Sequence, residues 1–266
     1  METKTVIITT VNAAWTAPNS IFDIFLEGFR IGNQTQALLN HLVVVALDQN
    51  AYSRCLELHP YCFALSTEGV DFSGTANFMS EDYLKMMWRR IDFLHAVLEM
   101  GYSFIFTDVD ILWFRDPFQQ LYLDADFQIA CDHFNFNSTN LNNSPNGGFV
   151  YVRSNNMTIQ LYNFWYKSKE TYPWTHDQDV LNKIKFDPFI NQIGLKIRFL
   201  DTAYFGGFCE PSKDLNVVCT MHANCCTNLD SKIHDLQMMI DDWKRYMTVP
   251  ANHTKPQPWT MPRYCG

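Results

Sequence analysis

Apolar residues in this chain follow two rhythms, and the rhythms alternate. Thr5–Val11, rich in β-branched Val, Ile and Thr, predicts a buried first strand ending at Asn12. Residues 17–32 read as helical, and 42–47 form a second strand ending at Asp48. Residues 51–58 predict a short helix, 62–65 a third strand, and 66–80 a loop rich in Gly, Ser and Thr. The clearest helix follows. Leu84, Met87, Trp88, Ile91, Leu94, His95 and Leu98 share one face, and Gly101 terminates it. Residues 104–107 then make a short apolar run, the pattern of a central parallel strand covered on both faces. Strands over 127–130, 149–152, 196–200 and 217–221, with helices over 155–169 and 177–185, complete the series. The alternation predicts an α/β fold with a Rossmann-like, mostly parallel sheet flanked by helices. No linker, repeat or low-complexity segment interrupts it, so residues 1–266 are expected to form one domain, with an irregular tail over 250–266.

Composition narrows the function. Nearly half the residues are hydrophobic and 18% are charged, which describes an ordered globular chain. A net charge of −8 with no basic stripe argues against nucleic acid as a partner. An anionic ligand is still compatible with this surface where a metal ion supplies the positive charge. Eight cysteines, an even number, fit a disulfide framework. Asn33, Asn137, Asn142, Asn156 and Asn252 each begin a glycosylation sequon, and with the cysteines they point to the secretory pathway. The longest apolar run, 42–47, is far shorter than the ~20 residues of a spanning helix. If the protein is lumenal, this chain is expected to lack its targeting segment or to enter by unusual means.

The chemistry begins where the central strand ends. Asp108 and Asp110 follow the run 104–107 directly, and residues i and i+2 on a strand project to one side. Two carboxylates so placed repel, and a cation between them relieves the repulsion. As hard oxygen ligands they suit Mg²⁺ or Mn²⁺. The carboxyl end of a central strand is also where open α/β sheets bind ligands. An Asp-nucleophile phosphatase of the haloacid-dehalogenase type shares an apolar strand followed by Asp-x-Asp. Those enzymes carry the motif on their first strand, whereas here at least two strands precede it. A second alternative lies downstream, where Cys219, His222, Cys225 and Cys226 have a zinc-like spacing.

The segment FTDVDILWFRDPF at 106–118 resembles the core signature of the plant nucleotide-diphospho-sugar transferases of glycosyltransferase family 77. NGGFVYVR at 146–153, HDQDVLN at 176–182 and MHAN at 221–224 match that family's pattern in the same order. The resemblance covers nearly the whole chain. It implies the GT-A fold, a UDP-sugar donor, a Mn²⁺ (or Mg²⁺) ion, retention of anomeric configuration and a glycan or glycoprotein acceptor. It also implies residence in the Golgi lumen, since several relatives build plant cell-wall polymers or decorate wall proteins with pentoses. A catalytically inactive, sugar-binding GT-A domain is the non-enzyme alternative, and the intact motif carboxylates argue against it.

Site roles follow from the resemblance. Asp108, Asp110 and His222 are expected to hold the ion, with Asp108 also near the donor's ribose. Asn146, Gly147 and Gly148 are expected against the donor sugar, where the glycines allow close backbone approach. Asp177, Gln178 and Asp179 open a helix, and Asp177 and Gln178 are the sugar-side candidates. Thr10 and Asn12, at the end of the first strand, are expected as further donor contacts. Arg90, on the flank of its helix's apolar face, is the better placed of Arg89 and Arg90 to reach a phosphate or a carboxylate. Lys232 is the first lysine after His222, ten residues on, where related family-8 enzymes place theirs six residues on. It is the candidate for the diphosphate.

Overall fold

The computed structural model describes residues 4–67, 69–74, 79–249 and 255–265. Its strands are β1 (Thr5–Val11), β2 (Leu42–Ala46), β3 (Cys62–Ala64), β4 (Ser103–Thr107), β5 (Ile111–Trp113), β6 (Phe127–His133), β7 (Ser144–Val152), β8 (Ile197–Phe199), β9 (Phe205–Gly207) and β10 (Thr220–His222). Its α-helices are α1 (Ile21–Ile31), α2 (Gln49–Leu58), α3 (Glu81–Glu99), α4 (Asn156–Lys167), α5 (Asp177–Ile184), α6 (Pro188–Gln192) and α7 (Leu229–Tyr246).

The main sheet runs β3-β2-β1-β4-β7-β6-β8. β7 alone pairs antiparallel with both its neighbours, β4 and β6; every other pairing in this sheet is parallel. The mostly parallel sheet expected from the alternation is therefore present. Its strands alternate between two cores, as the twofold period of a strand requires. Ile7, Val44 and Ile105 face α1 and α7, while Ile8, Val45, Phe104 and Phe106 face α3, α4 and α5. Burial on both faces explains the unbroken apolar runs.

Several elements differ from the sequence expectation. The strand expected over 149–152 begins at Ser144, so Asn146, Gly147 and Gly148 lie within β7 rather than before it. The late strand expected over 217–221 is the three-residue β10. β5, β9, α6 and α7 were not predicted. Three-residue strands are too short to show a period. α7 did carry one, with Ile233, Leu236, Ile240 and Trp243 at helical spacing behind an Asn228 cap. β5, β10 and β9 form a small second sheet beside the carboxyl ends of the main strands.

Within the predicted loop 66–80, residues 68 and 75–78 lie outside the described residues, as do 250–254 and 266 of the tail. Residues 255–265 have no helix or strand and lie against α7. Asp235 accepts backbone N–H bonds from Arg263, Tyr264 and Cys265, and Cys226–Cys265 is a disulfide. Among the described residues no helix is long and apolar enough to cross a membrane.

Candidate active site

β4 ends at Thr107, so Asp108, Val109 and Asp110 form the turn into β5 rather than continuing the strand. The carboxylates converge because the chain turns, and the expectation of two neighbours on one pleat is corrected. Val109 anchors the turn in the core. The Asp108 N–H donates to Gly148 O at 2.7 Å, and the Ile111 N–H closes back on Asp108 O at 3.3 Å. β10 pairs antiparallel with β5 and sets His222 opposite Ile111. His222 Nε2 consequently stands 3.1 Å from Asp110 Oδ1 and 3.7 Å from Asp108 Oδ2. One ligand atom from each of Asp108, Asp110 and His222 can be chosen so that all lie within 4.8 Å of one another. Bonds of roughly 2.1–2.3 Å put ligands at most about 4.6 Å apart across an ion, so small side-chain shifts suffice to close on one.

Two cations border this cluster. Lys232, in the first turns of α7, places Nζ 2.5 Å from Asp110 Oδ2. Arg90, buried on α3 over the ring of Phe106, donates Nη1 to Asp108 Oδ1 at 3.2 Å and Nη2 to Asp177 Oδ2 at 2.6 Å. Arg89 points instead to Asp92 on the same helix, at 2.5 Å. Burial opposes every charge here. It raises the pKa of Asp108 despite Arg90. For Asp110, Lys232 and His222 outweigh burial and hold the carboxyl below the usual range. For Asp177, Arg90 outweighs burial in the same way. His222 is held above its ordinary value by Asp110, again against burial.

A second cluster adjoins the first. Asp177 is the first residue of α5 and is only 1% exposed. His176, the N-cap, pairs with the exposed Asp179 at 3.2 Å, so Asp179 turns away from Asp177's partner Arg90. Gln178 accepts from the Gly147 N–H at 2.8 Å and donates to Asp132 Oδ2 at 3.0 Å. Asn146 donates to Asp132 Oδ1 at 2.8 Å, and its own oxygen accepts the Gly148 N–H at 2.9 Å. A Cβ on Gly148 would collide with His222, and would lie 2.8 Å from Asp108 Oδ2 and 2.9 Å from Asn146 Oδ1. Only glycine lets the three converge. Gly147 and Gly148 sit in a bulge of β7, between the Ile129–Val150 and Ala130–Asn146 pairs. Bulges of this kind re-aim side chains beside active sites.

Sequence reasoning missed Asp132 and Asn224. Asp132 lies near the carboxyl end of β6, the same position rule that picked out Asp108 on β4. Asn224 lies in the quoted MHAN block and donates to Asp132 Oδ1 at 2.8 Å.

Thr10 and Asn12 lie at the end of β1, the strand that pairs in parallel with β4. Asn12 Nδ2 donates to Phe72 O at 2.9 Å and Gly74 O at 3.0 Å, fixing the loop after β3. A cavity of about 380 Å³ opens beside that loop at the ends of β2 and β3, lined in part by Leu47, Asp48, Leu65 and Phe72. The zinc alternative is not formed. Cys225 pairs with Cys209 and Cys226 with Cys265, while Cys219 is a buried free thiol.

Comparison with known proteins identifies the fold and the family. Mouse xyloside xylosyltransferase 1 superposes with a TM-score of 0.51 at 13% identity, over 84% of this chain and 98% of that one. The sheet order and this likeness define the GT-A glycosyltransferase fold. Residues 37–236 match the nucleotide-diphospho-sugar transferase family, and the chain belongs to it. An uncharacterized Arabidopsis thaliana protein is 53% identical over 99% of this chain and 70% of its own length. The Arabidopsis UDP-D-xylose:L-fucose alpha-1,3-D-xylosyltransferase 3 is 28% identical over 60% of this chain and 46% of its own length. Membership makes the chain a glycosyltransferase of the nucleotide-sugar class and leaves the phosphatase alternative without support.

Proposed function

We propose that the protein transfers a pentose from a UDP-sugar to a hydroxyl of a cell-wall glycan or glycoprotein, with retention, in the Golgi lumen. The observation that carries this reading is the convergence of Asp108, Asp110 and His222 beside the buried Arg90–Asp177 pair. The names of the xylosyltransferase relative and of the superposed xylosyltransferase support a pentose donor. Three disulfides and the exposed sequon asparagines Asn33, Asn137, Asn142 and Asn156 support a lumenal address. Asn252 lies outside the described residues.

Asp108, Asp110 and His222 would hold Mn²⁺, or Mg²⁺, since a mixed oxygen and nitrogen set suits Mn²⁺ better. Such an ion supplies charge neutralisation to a departing diphosphate. Lys232 stands at Asp110 and is within reach of the same diphosphate. The cavity beside Asn12 and Asp48 has room for part of the nucleotide, and Thr10 lies on the strand leading to it. Asn146, Gly147, Gly148 and Gln178 would border the sugar. Asp132 has about four acceptor sites on its two oxygens. Three are taken by Asn146, Gln178 and Asn224, which leaves one for a sugar hydroxyl. Asp177, negative and held by Arg90, would stabilise positive charge developing on the sugar. The acceptor hydroxyl would approach from the leaving-group side, with a diphosphate oxygen taking its proton.

UDP is expected to bind in Mn²⁺ and at least about a hundredfold more weakly in EDTA, by calorimetric titration. Equal affinity in the chelator would remove the metal bridge. A hydrolysis screen across UDP-xylose, UDP-arabinose, UDP-galactose and UDP-glucose should favour a pentose. Gly148→Ala is expected to weaken Mn²⁺ binding at least about tenfold, because the new methyl displaces His222 and Asp108. Wild-type Mn²⁺ affinity in that variant would contradict the ligand set.

A further inference from the structure

We propose that the Cys209–Cys225 disulfide is a positioning clamp for Asp132, acting through Asn224. The inference rests on the transferase reading of the site. It goes beyond that reading by making a cross-link between two loops a determinant of turnover.

Different contacts hold the two loops. His222 is fixed by ladder pairing, to Ile111 on one side and Gly207 on the other. Past His222 and past Gly207 the chain leaves the small sheet. The disulfide joins the two departing segments just there. Cys225 sits at φ 52°, in the left-handed region that residues other than glycine seldom adopt. Such outliers persist where the surroundings over-determine them, and they cluster at functional sites.

Asn224, one residue before Cys225, is gripped on every side. Its Oδ1 accepts the N–H of Cys209 at 3.1 Å, and its Nδ2 donates to Asp132 Oδ1 at 2.8 Å. The Cys209 N–H therefore decides which way round the amide lies. A Cβ on Gly207 would collide with the Asn224 amide, so the side chain lies flat on that glycine. Cys209 Sγ itself stands 3.4 Å from Asp132 Oδ1. One residue further, Glu210 Oε2 accepts the Phe134 N–H at 2.7 Å and ties the same loop to the chain leaving β6. The clamp thus grips the segment carrying Asp132 from two points.

The consequence is directional. Asn146 and Gln178 reach Asp132 from β7 and α5, and Asn224 reaches it from the cross-linked loops. Backbone bonds from Phe208 to His222 and from Ala223 to Asp110 hold the neighbouring residues, so removing the cross-link loosens the next contact out, the Cys209 N–H to Asn224 bond that orients the amide. Asp132 is then free to rotate its one open acceptor position away from the sugar. His222, held by its ladders, stays in place. Nucleotide binding and sugar chemistry should therefore separate.

The test uses three variants of the full chain, each assayed for UDP affinity in Mn²⁺ and for donor turnover. Asn224→Asp keeps the acceptor for Cys209 N–H and the disulfide, but replaces the donor to Asp132 with a second carboxylate. It is expected to lose turnover at least about tenfold, or ~1.4 kcal/mol, with UDP affinity within about twofold of wild type. Cys209→Ala with Cys225→Ala should show the same split. Cys226→Ala with Cys265→Ala releases the tail but leaves Asn224 bonded, and should keep turnover within about twofold. If the first double variant fails to fold, Asn224→Asp carries the test alone. Full turnover in Asn224→Asp, or equal losses in both double variants, overturns the clamp. A wild type that neither binds UDP with Mn²⁺ nor turns over a donor sinks the transferase reading and the clamp with it.

Discussion

Asp110→Asn is expected to abolish transfer, by at least about a thousandfold, and to lower the melting temperature of the metal-free protein. Loss of transfer follows from removing one of the two anionic ligands, leaving Asp108 and His222. A thousandfold corresponds to roughly 4 kcal/mol of barrier. The stability effect has the opposite sign from that implied by two repelling neighbours on a strand, where neutralising one acid should help. Asp110 is 3% exposed, with Lys232 at 2.5 Å and His222 at 3.1 Å. Its charge is compensated, and removing it strands the ammonium. Breaking a buried pair by deleting one partner costs about 3–5 kcal/mol. Asn can still accept one hydrogen bond, and the lysine can swing toward solvent, so a loss of roughly 1–3 kcal/mol is expected. Melting in EDTA, followed by circular dichroism, decides it. An unchanged or raised midpoint means that Lys232 does not compensate Asp110.

Asp177→Asn is expected to lose turnover at least about a hundredfold, or ~2.7 kcal/mol, with UDP affinity nearly unchanged. UDP lacks the sugar and should not sense this residue. As a mere helix-start residue, Asp177 would accept Asn silently, since the two cap helices equally well. Its actual position forbids that outcome. Its carboxylate is buried against Arg90 at 2.6 Å, and Asn would leave the guanidinium with Asp108 alone. Stability should therefore fall by about 2–4 kcal/mol, and turnover must be assayed well below the new midpoint. The folded pKa of Asp177 lies below its ordinary value. Its contribution is thus fully present above the unfolded pKa of about 3.9 and is lost as pH falls through the folded value. The stability gap between wild type and variant should narrow in acid. A variant with wild-type turnover would falsify the sugar-side role, whatever its melting point.

Much of this arrangement was legible in the sequence because both faces of the sheet are covered. Residues 104–107 could only be a central strand, and the acids after it had to lie at a ligand-binding edge. The phase of α3 put Arg90 on the flank of the apolar face, and it is Arg90, not Arg89, that meets Asp108 and Asp177. The turn at Val109 was not legible, since strand and turn differ there by backbone angles that side-chain pattern does not encode. Asp132 went unnoticed because one acid after a strand, without a partner two residues on, gives no motif. Its partners arrive from β7, α5 and the loop after β10, three segments that only the fold unites. Cysteine count implied cross-links without their connectivity. Cys225 and Cys226, adjacent in sequence, turn to entirely different partners.

The bulge in β7 has an evolutionary consequence. Phe149–Val152 are locked to β4 and Val150–Val152 also to β6, whereas Ser144–Asn146 pair separately with the end of β6. Gly147 and Gly148 act as an expansion joint between the two stretches. Residues 134–143, which connect β6 to β7 beside Asp132, are thereby insulated from the central ladder. Insertions or deletions there would be absorbed locally while Asp108, Gly148 and His222 kept their spacing. Sequence change in that loop would leave the machinery behind it in tune.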